Sequence, residues 1–229
     1  MQKKIKILKS AGIIAPVMYG CFVLLGGYLR PNYSPFSQTI SALVQIGAPN
    51  KLLLDIGFSF SSFCLALFGY GLFRLGRKES NKYKAFSGLT LIAGGIAGIL
   101  IILFPKDSDF VNLSLTGFTH HLIAGVLTIF AMISILFSEL GEFNNGAFRS
   151  YSKISIILIF FFAAVTVVAG QSTNSLVGLF ERITIFLYLQ WMMVMSALVL
   201  KHSVSEKTSE KIKRISKTII YKIKRTVKG

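Results

Sequence analysis

Acidic residues are scarce in this chain, with 9 Asp and Glu against 25 Lys and Arg in 229 residues, and only 15% of all positions are charged. Soluble domains carry about 25% charged and 45–50% apolar residues, whereas 53% of this sequence is apolar. That balance excludes an ordinary soluble globular protein. Cysteine is nearly absent as well. Cys21 and Cys64 stand alone within apolar runs, which excludes a disulfide framework and a cysteine zinc site, and both are expected to be small core residues. Alternation of apolar and polar residues is also missing, so a membrane β-barrel is excluded and continuously apolar helices remain.

Six long apolar runs are present: Ala11–Leu29, Leu52–Phe73, Phe86–Phe104, Phe118–Ser138, Ile154–Val177 and Ile183–Leu200. Each suffices for the roughly 20 helical residues that cross a bilayer. Together they predict an all-α polytopic six-helix transmembrane bundle, organised as a basic arm at 1–10, a membrane domain at 11–200 and a basic tail at 201–229. The lysines before the first run resemble a signal-peptide n-region, but nineteen apolar residues exceed the usual signal core of about 7–15, so an uncleaved anchor is expected.

Lys and Arg are distributed very unevenly between alternate loops. The arm, the loop from Arg74 to Lys84, the loop with Arg149 and Lys153, and the tail hold 21, and the other three loops hold only Arg30, Lys51, Lys106 and Arg182. Positively charged segments stay cytoplasmic, so both termini are expected in the cytoplasm of a multi-pass plasma-membrane protein. The tail alone carries ten basic and two acidic residues, and Ile212, Ile215, Ile219, Ile223 and Val227 recur through it at helical spacing. This is the pattern of a basic amphipathic helix. Its expected partner is the anionic inner-leaflet surface rather than nucleic acid.

Glycines gather in the third run at Gly88, Gly94, Gly95 and Gly98. Small residues let membrane helices approach closely, so this run is expected to be central to the bundle, with Gly94-x-x-x-Gly98 a packing seam within the chain. In the first outer loop Ser34-Pro35 reads as a helix start and Gly47 as a stop. Between them Phe36, Ile40, Leu43 and Val44 fall on one face, which predicts a short amphipathic helix as anchor or lid.

The outward half gathers Asp55, Asp107, Asp109 and Glu181 against Arg30, Lys51, Lys106 and Arg182, with His120 and His121 at the start of the fourth run. Ionisable groups at a membrane boundary are costly unless paired or hydrated and so nominate a site, although loop charges that pair with one another would look the same. Adjacent histidines point about 100° apart on a helix, so one of the two is expected to face inward, and periodicity does not choose between them.

Several short blocks at the outer ends of successive runs carry a resemblance. They are Pro31-Asn32-Tyr33-Ser34, Thr39-Ile40-Ser41-Ala42-Leu43, Gly47-Ala48-Pro49-Asn50, Phe104-Pro105-Lys106-Asp107, His120, and Gly178-Leu179-Phe180-Glu181-Arg182. In this order they resemble the six-span membrane family called domain of unknown function 998, over nearly the whole chain to about Leu200. The resemblance implies Ser41, Asp107, His120, Glu181 and Arg182 as the functional cluster and implies no activity. Ala42 stands where the family usually has an acidic residue and Thr116 where it often has a histidine. Both departures count against a mechanism that needs those groups.

Three chemistries fit such a cluster. In a binding role Glu181 and Arg182 hold the ligand, with Arg182 clamping a phosphate or carboxylate by charge-assisted hydrogen bonds. This favours an outward polar pocket for an anionic lipid headgroup or similar small molecule, with membrane lipids as partners and no cofactor. In a hydrolase, His120 would deprotonate Ser41 or a water while Asp107 orients the ring, but no G-x-S-x-G elbow occurs. A zinc variant would add Asp109 to Asp107 and His120. A structural or immunity-type membrane protein without a ligand is the remaining class. Solute transport is disfavoured because the second, third and fifth runs carry no mid-depth charge. The residues do not identify a substrate.

Overall fold

A computed structural model describes residues 2–107, 114–141, 146–171 and 176–226, with side chains described up to residue 201 and, near the start, for residue 8 and from residue 10 onward. Six helices form the described chain: α1 (Gln2–Leu29), α2 (Lys51–Lys78), α3 (Lys82–Leu100), α4 (Leu115–Leu140), α5 (Gly146–Ala169) and α6 (Val177–Thr226). All six contain segments long and apolar enough to cross a membrane. The basic arm and the tail are not separate elements in the backbone, because α1 begins at Gln2 and α6 continues without a break to Thr226.

Each helix packs against its neighbours in chain order, and α6 returns to α1, so the bundle closes as a ring. All six contribute to one apolar core, with Trp191, Met192, Met195 and Val199 of α6 almost fully buried against Phe68, Leu91, Ile135 and Ile159. Large apolar side chains such as Leu24, Ile56, Leu122, Phe160 and Val168 cover the flanks and are exposed. Such flanks suit a lipid solvent, where the outside of a helix is as apolar as its inside. Cys64 is buried as expected, but Cys21 is exposed on the flank of α1, because hydropathy cannot separate a lipid-facing position from a core position.

The glycines of α3 do not make it a central helix. They form a seam with α2. A Cβ at Gly88 would lie 2.4 Å from the Phe73 nitrogen, and one at Gly95 would lie 2.6 Å from the Ser62 carbonyl oxygen. Gly98 also meets α2, at Ser62, whereas Gly94 meets Phe130 of α4 and Leu65 only in loose contact. The close approach thus runs through Gly88 and Gly95, seven residues and about two turns apart, together with Gly98, and Gly94 of the expected pair takes no part in it.

The helix starts of α5 and α6 also differ from expectation. Arg149 and Lys153 interrupt the hydropathy but not the helix, so α5 starts at Gly146 and ends at Ala169. Helix α6 starts at Val177, which places Glu181 and Arg182 in its first turns rather than in a loop. The bundle therefore has a polar end, carrying residues 30–50, 104–107 and 176–182, and a basic end, carrying 74–84 and 146–153.

Candidate functional site

The segment from Tyr33 to Gln45 lies across the polar end, and it is not the short helix that its pattern predicts. Only Ser41–Val44 is helical, as a single 3₁₀ segment. Side chains of α6 take the backbone groups that a helix would use internally. Arg182 Nη1 donates to the carbonyls of Pro35 (2.6 Å), Gln38 (2.9 Å) and Gly178 (2.8 Å), and its Nη2 donates to the Tyr33 hydroxyl. The Glu181 carboxylate accepts the N–H of Ile40 and faces that of Ser41. Leu179 N–H donates to the Phe36 carbonyl at 2.9 Å. A Cβ at Gly178 would lie 2.2 Å from the Gln38 carbonyl oxygen, so the segment lies directly on the start of α6. Ile40 and Leu43 are buried beneath it, whereas Phe36 is exposed.

Tyr33 stands between two guanidiniums, with Arg182 at 5.5 Å and Arg30 at 6.0 Å from its ring centre. Its hydroxyl donates to the Thr39 carbonyl at 2.8 Å. Burial raises the Tyr33 pKa, and the Arg182 charge opposes that shift. Arg30 donates from Nη1 to the Ala42 carbonyl, tying the other side of the segment to the end of α1.

Between these groups lies a pocket of about 230 Å³, lined among others by Arg30, Gln38, Thr39, Gln45, Lys106 and Val177. Lys106 is buried and donates to Thr39 Oγ1 at 3.1 Å, while its backbone carbonyl accepts from Ile46 N–H. Desolvation lowers its pKa below the ordinary 10.5, a shift opposed by Glu181 and assisted by Arg30. Among the described residues the pocket lining contains two cations and no carboxylate.

The other candidate residues have separate local roles. Asp107 accepts from Ser114 N–H at 2.7 Å and Ser114 Oγ at 2.9 Å, while Ser114 Oγ accepts Gly117 N–H, so the pair forms the cap of α4. His120 is the inward histidine: it is buried, and its Nδ1 is 2.8 Å from the Phe104 carbonyl oxygen. His121 is half-buried beside it. Ser41 donates from Oγ to Thr39 Oγ1 at 3.0 Å. Among the described residues no hydrogen bond joins Ser41 to His120, or Asp107 to either His120 or Arg182. No three of His, Cys, Asp and Glu among them gather as a metal site, and Asp109, which the zinc reading uses, lies outside the described residues. Asp55 pairs with Lys51 at 2.5 Å on α2.

Lys106, Tyr33, Thr39 and Gln38 all stand in or beside the sequence blocks that suggested a site, but their roles depend on contacts between Arg182 and residues about 145 positions away. A family model described as Protein of unknown function (DUF998) matches residues 13–198. The chain belongs to the DUF998 family. The match spans all six membrane segments, so the DUF998 region includes the whole polar end described above. Comparisons with curated proteins and with solved structures return no match.

Proposed function

We propose that this DUF998 protein is an integral membrane protein of the plasma membrane whose polar end faces outward and binds an anionic lipid headgroup or a similar small anion. The observation that carries this reading is the pocket itself, in which Arg30 and Lys106 meet the amides of Gln38 and Gln45 with no acid among the described lining residues. Two cations with neutral hydrogen-bond donors suit a phosphate or carboxylate. Arg182 and Glu181 serve this site by holding the Tyr33–Gln45 segment that forms its wall, and the role of anion ligand passes to Arg30 and Lys106. The hydrolase reading gains no support from the contacts of Ser41, His120 and Asp107.

Glycerol 3-phosphate should raise the melting temperature of the purified full-length protein in detergent, and Arg30→Gln should abolish that shift while leaving the ligand-free melting temperature within a few degrees. No shift in the wild-type protein would reject the pocket. Outward orientation is tested by single cysteines in a background lacking Cys21 and Cys64. Ser37→Cys should react with an impermeant thiol reagent added outside and Ser80→Cys should not. The reverse pattern would turn the pocket to the cytoplasm.

The basic tail is read as a second contact with the membrane, at the inner leaflet. Ten basic residues among 201–229 with an apolar repeat supply the charge and the face for anionic lipid. A peptide of residues 203–229 should bind anionic vesicles and leave them at high salt, and equal binding to neutral vesicles would reject this role.

A further inference from the structure

Glutamine and asparagine are missing from the six membrane spans with one exception. Gln190, near the middle of the span Val177–Lys201, is the only carboxamide side chain in any of them. At about 1.5 Å per residue, roughly 20 Å of helix separate it from Val177 and roughly 17 Å from Lys201. A glutamine side chain is far too short to reach either headgroup layer.

Gln190 is exposed, and it stands at the centre of the outward face of α6. Buried Leu189, Trp191, Met192 and Met195 mark the inward face, while exposed Phe186, Met193, Val194 and Ala197 share the opposite face with Gln190 at steps of three and four. The other five helices expose Val17, Phe63, Ile96, Ile129 and Ile157 near the middle of their spans. Against those apolar flanks the amide is an exception. No hydrogen bond reaches it from the described residues.

An amide in hydrocarbon without a partner is costly, and lipid chains have no group to offer it. A carboxamide carries both an acceptor oxygen and two donor hydrogens, so it is complementary to itself. A second copy inserted in the same orientation presents the same side chain at the same depth, and a two-fold axis along the membrane normal lets the two amides satisfy one another. The surrounding face suits such a pairing. Gln190, Val194, Ala197 and Lys201 follow at steps of four, three and four, the seam spacing of a left-handed helix pair, and Ala197 is small enough for close approach. No charged residue lies between Arg182 and Lys201 to repel its copy, and the Lys201 ammonium, at the end of the span, can turn out to the headgroups.

We infer that the chain forms a two-fold homodimer in the membrane through the outward face of α6, with the two Gln190 amides hydrogen-bonded to each other at its centre. Glu181 and Arg182 stand at the start of the same helix, so the pairing carries two polar ends on the same side of the membrane. It does not depend on what the pocket binds.

The test uses the full-length protein in liposomes. Fluorophore-labelled but otherwise unaltered protein, at high lipid dilution, should bleach in two steps. Gln190→Leu should weaken dimerisation at least about tenfold, on the scale of an interhelical hydrogen bond, while leaving the helical content unchanged, and Gln190→Asn, which keeps the amide, should restore part of it. In a background lacking Cys21 and Cys64, Ala197→Cys should give an oxidant-induced crosslinked dimer and Ile129→Cys, on the flank of α4, should not. Single-step bleaching of the unaltered protein, a Gln190→Leu variant that dimerises as well as the parent, or crosslinking through Ile129→Cys and not Ala197→Cys would each overturn the proposal. So would a crosslink of Ala197→Cys in cells to a chain of different mass alone, which would assign the face to another membrane protein.

Discussion

The two halves of the bundle are held together by different means. In the half toward the basic end, side chains interlock: Trp191 is fully buried, ring to ring with Phe148 and Tyr188, and its indole N–H donates to Ser152 Oγ at 3.1 Å. Serines there bond across helices or back to their own, as when Ser87 Oγ donates to the Ser134 carbonyl and meets Ser138 Oγ at 2.7 Å. In the half toward the polar end, a few charged side chains hold a backbone segment in place. Packing holds one half at many points, whereas the other depends on a few charged side chains, Glu181 and Arg182 of α6 with Arg30 and Lys106. That difference suits a scaffold at one end and a binding site at the other.

The sharpest way to test this contrast is to damage each half in turn. Trp191→Ala should cost about 3–5 kcal/mol, the usual range for deleting a large buried aromatic, while Thr166→Ala toward the polar end should cost only about 0.6 kcal/mol, typical of a membrane hydroxyl contact. Denaturant titration of the two variants in mixed micelles measures both. Equal losses would show that the halves are equally packed.

Arg182→Gln comes next, because it removes a charged donor from three carbonyls and a phenol at once. Hydrogen bonds to charged groups are worth about 1.5–3 kcal/mol, and the loss should be local. Hydrogen exchange should accelerate across residues 33–46 and not in the Trp191 core. Arg182→Lys should fail to restore protection, since an ammonium lacks the planar fork that reaches several acceptors. Protection that is unchanged in Arg182→Gln would remove the latch.

The smallest effect is one of pH. Burial lowers the Lys106 pKa below 10.5, so between the lowered value and 10.5 the unfolded chain binds more protons than the folded one. Stability contributed by this group therefore rises with pH through that window, whereas anion binding falls because the ammonium is lost. Tyr33, with its pKa raised from 10.0, acts in the opposite sense on stability, but only from about pH 10 upward, where the unfolded phenol ionises first. Glycerol 3-phosphate affinity should thus decline at lower pH than an ordinary lysine would allow, and Lys106→Met should flatten the profile. A decline centred at 10.5 would take Lys106 out of the site.

Much of the architecture was legible in the residues. Six apolar runs are local properties of the chain, and a bilayer rewards them wherever they fall, so the spans, the helical class and the family blocks could be read without contacts. The glycine seam was legible in part: small residues announce close approach, but only the neighbour shows which helix approaches. Cys21 and the ends of α5 were misplaced because hydropathy does not distinguish lipid from core, nor a charged residue inside a helix from one beyond its end.

The candidate site was legible as a set of residues and not as an arrangement. Composition and order by themselves determined that Arg30, Lys106, Glu181 and Arg182 would share one end of a six-helix bundle. Only the tertiary structure decided which of them face the pocket. The segment between Ser34 and Gly47 has the periodicity of a helix, but Arg182 and Glu181 reach it from α6 and bind the very carbonyls and N–H groups that a helical ladder requires. Those bonds span more than 140 residues, and hydrogen bonding that is satisfied from outside removes the local reason to form a helix. Likewise Asp107 could have met His120 or Arg182 by sequence alone. It caps α4 through Ser114 instead, because the nearest unmet donors lay at the start of that helix.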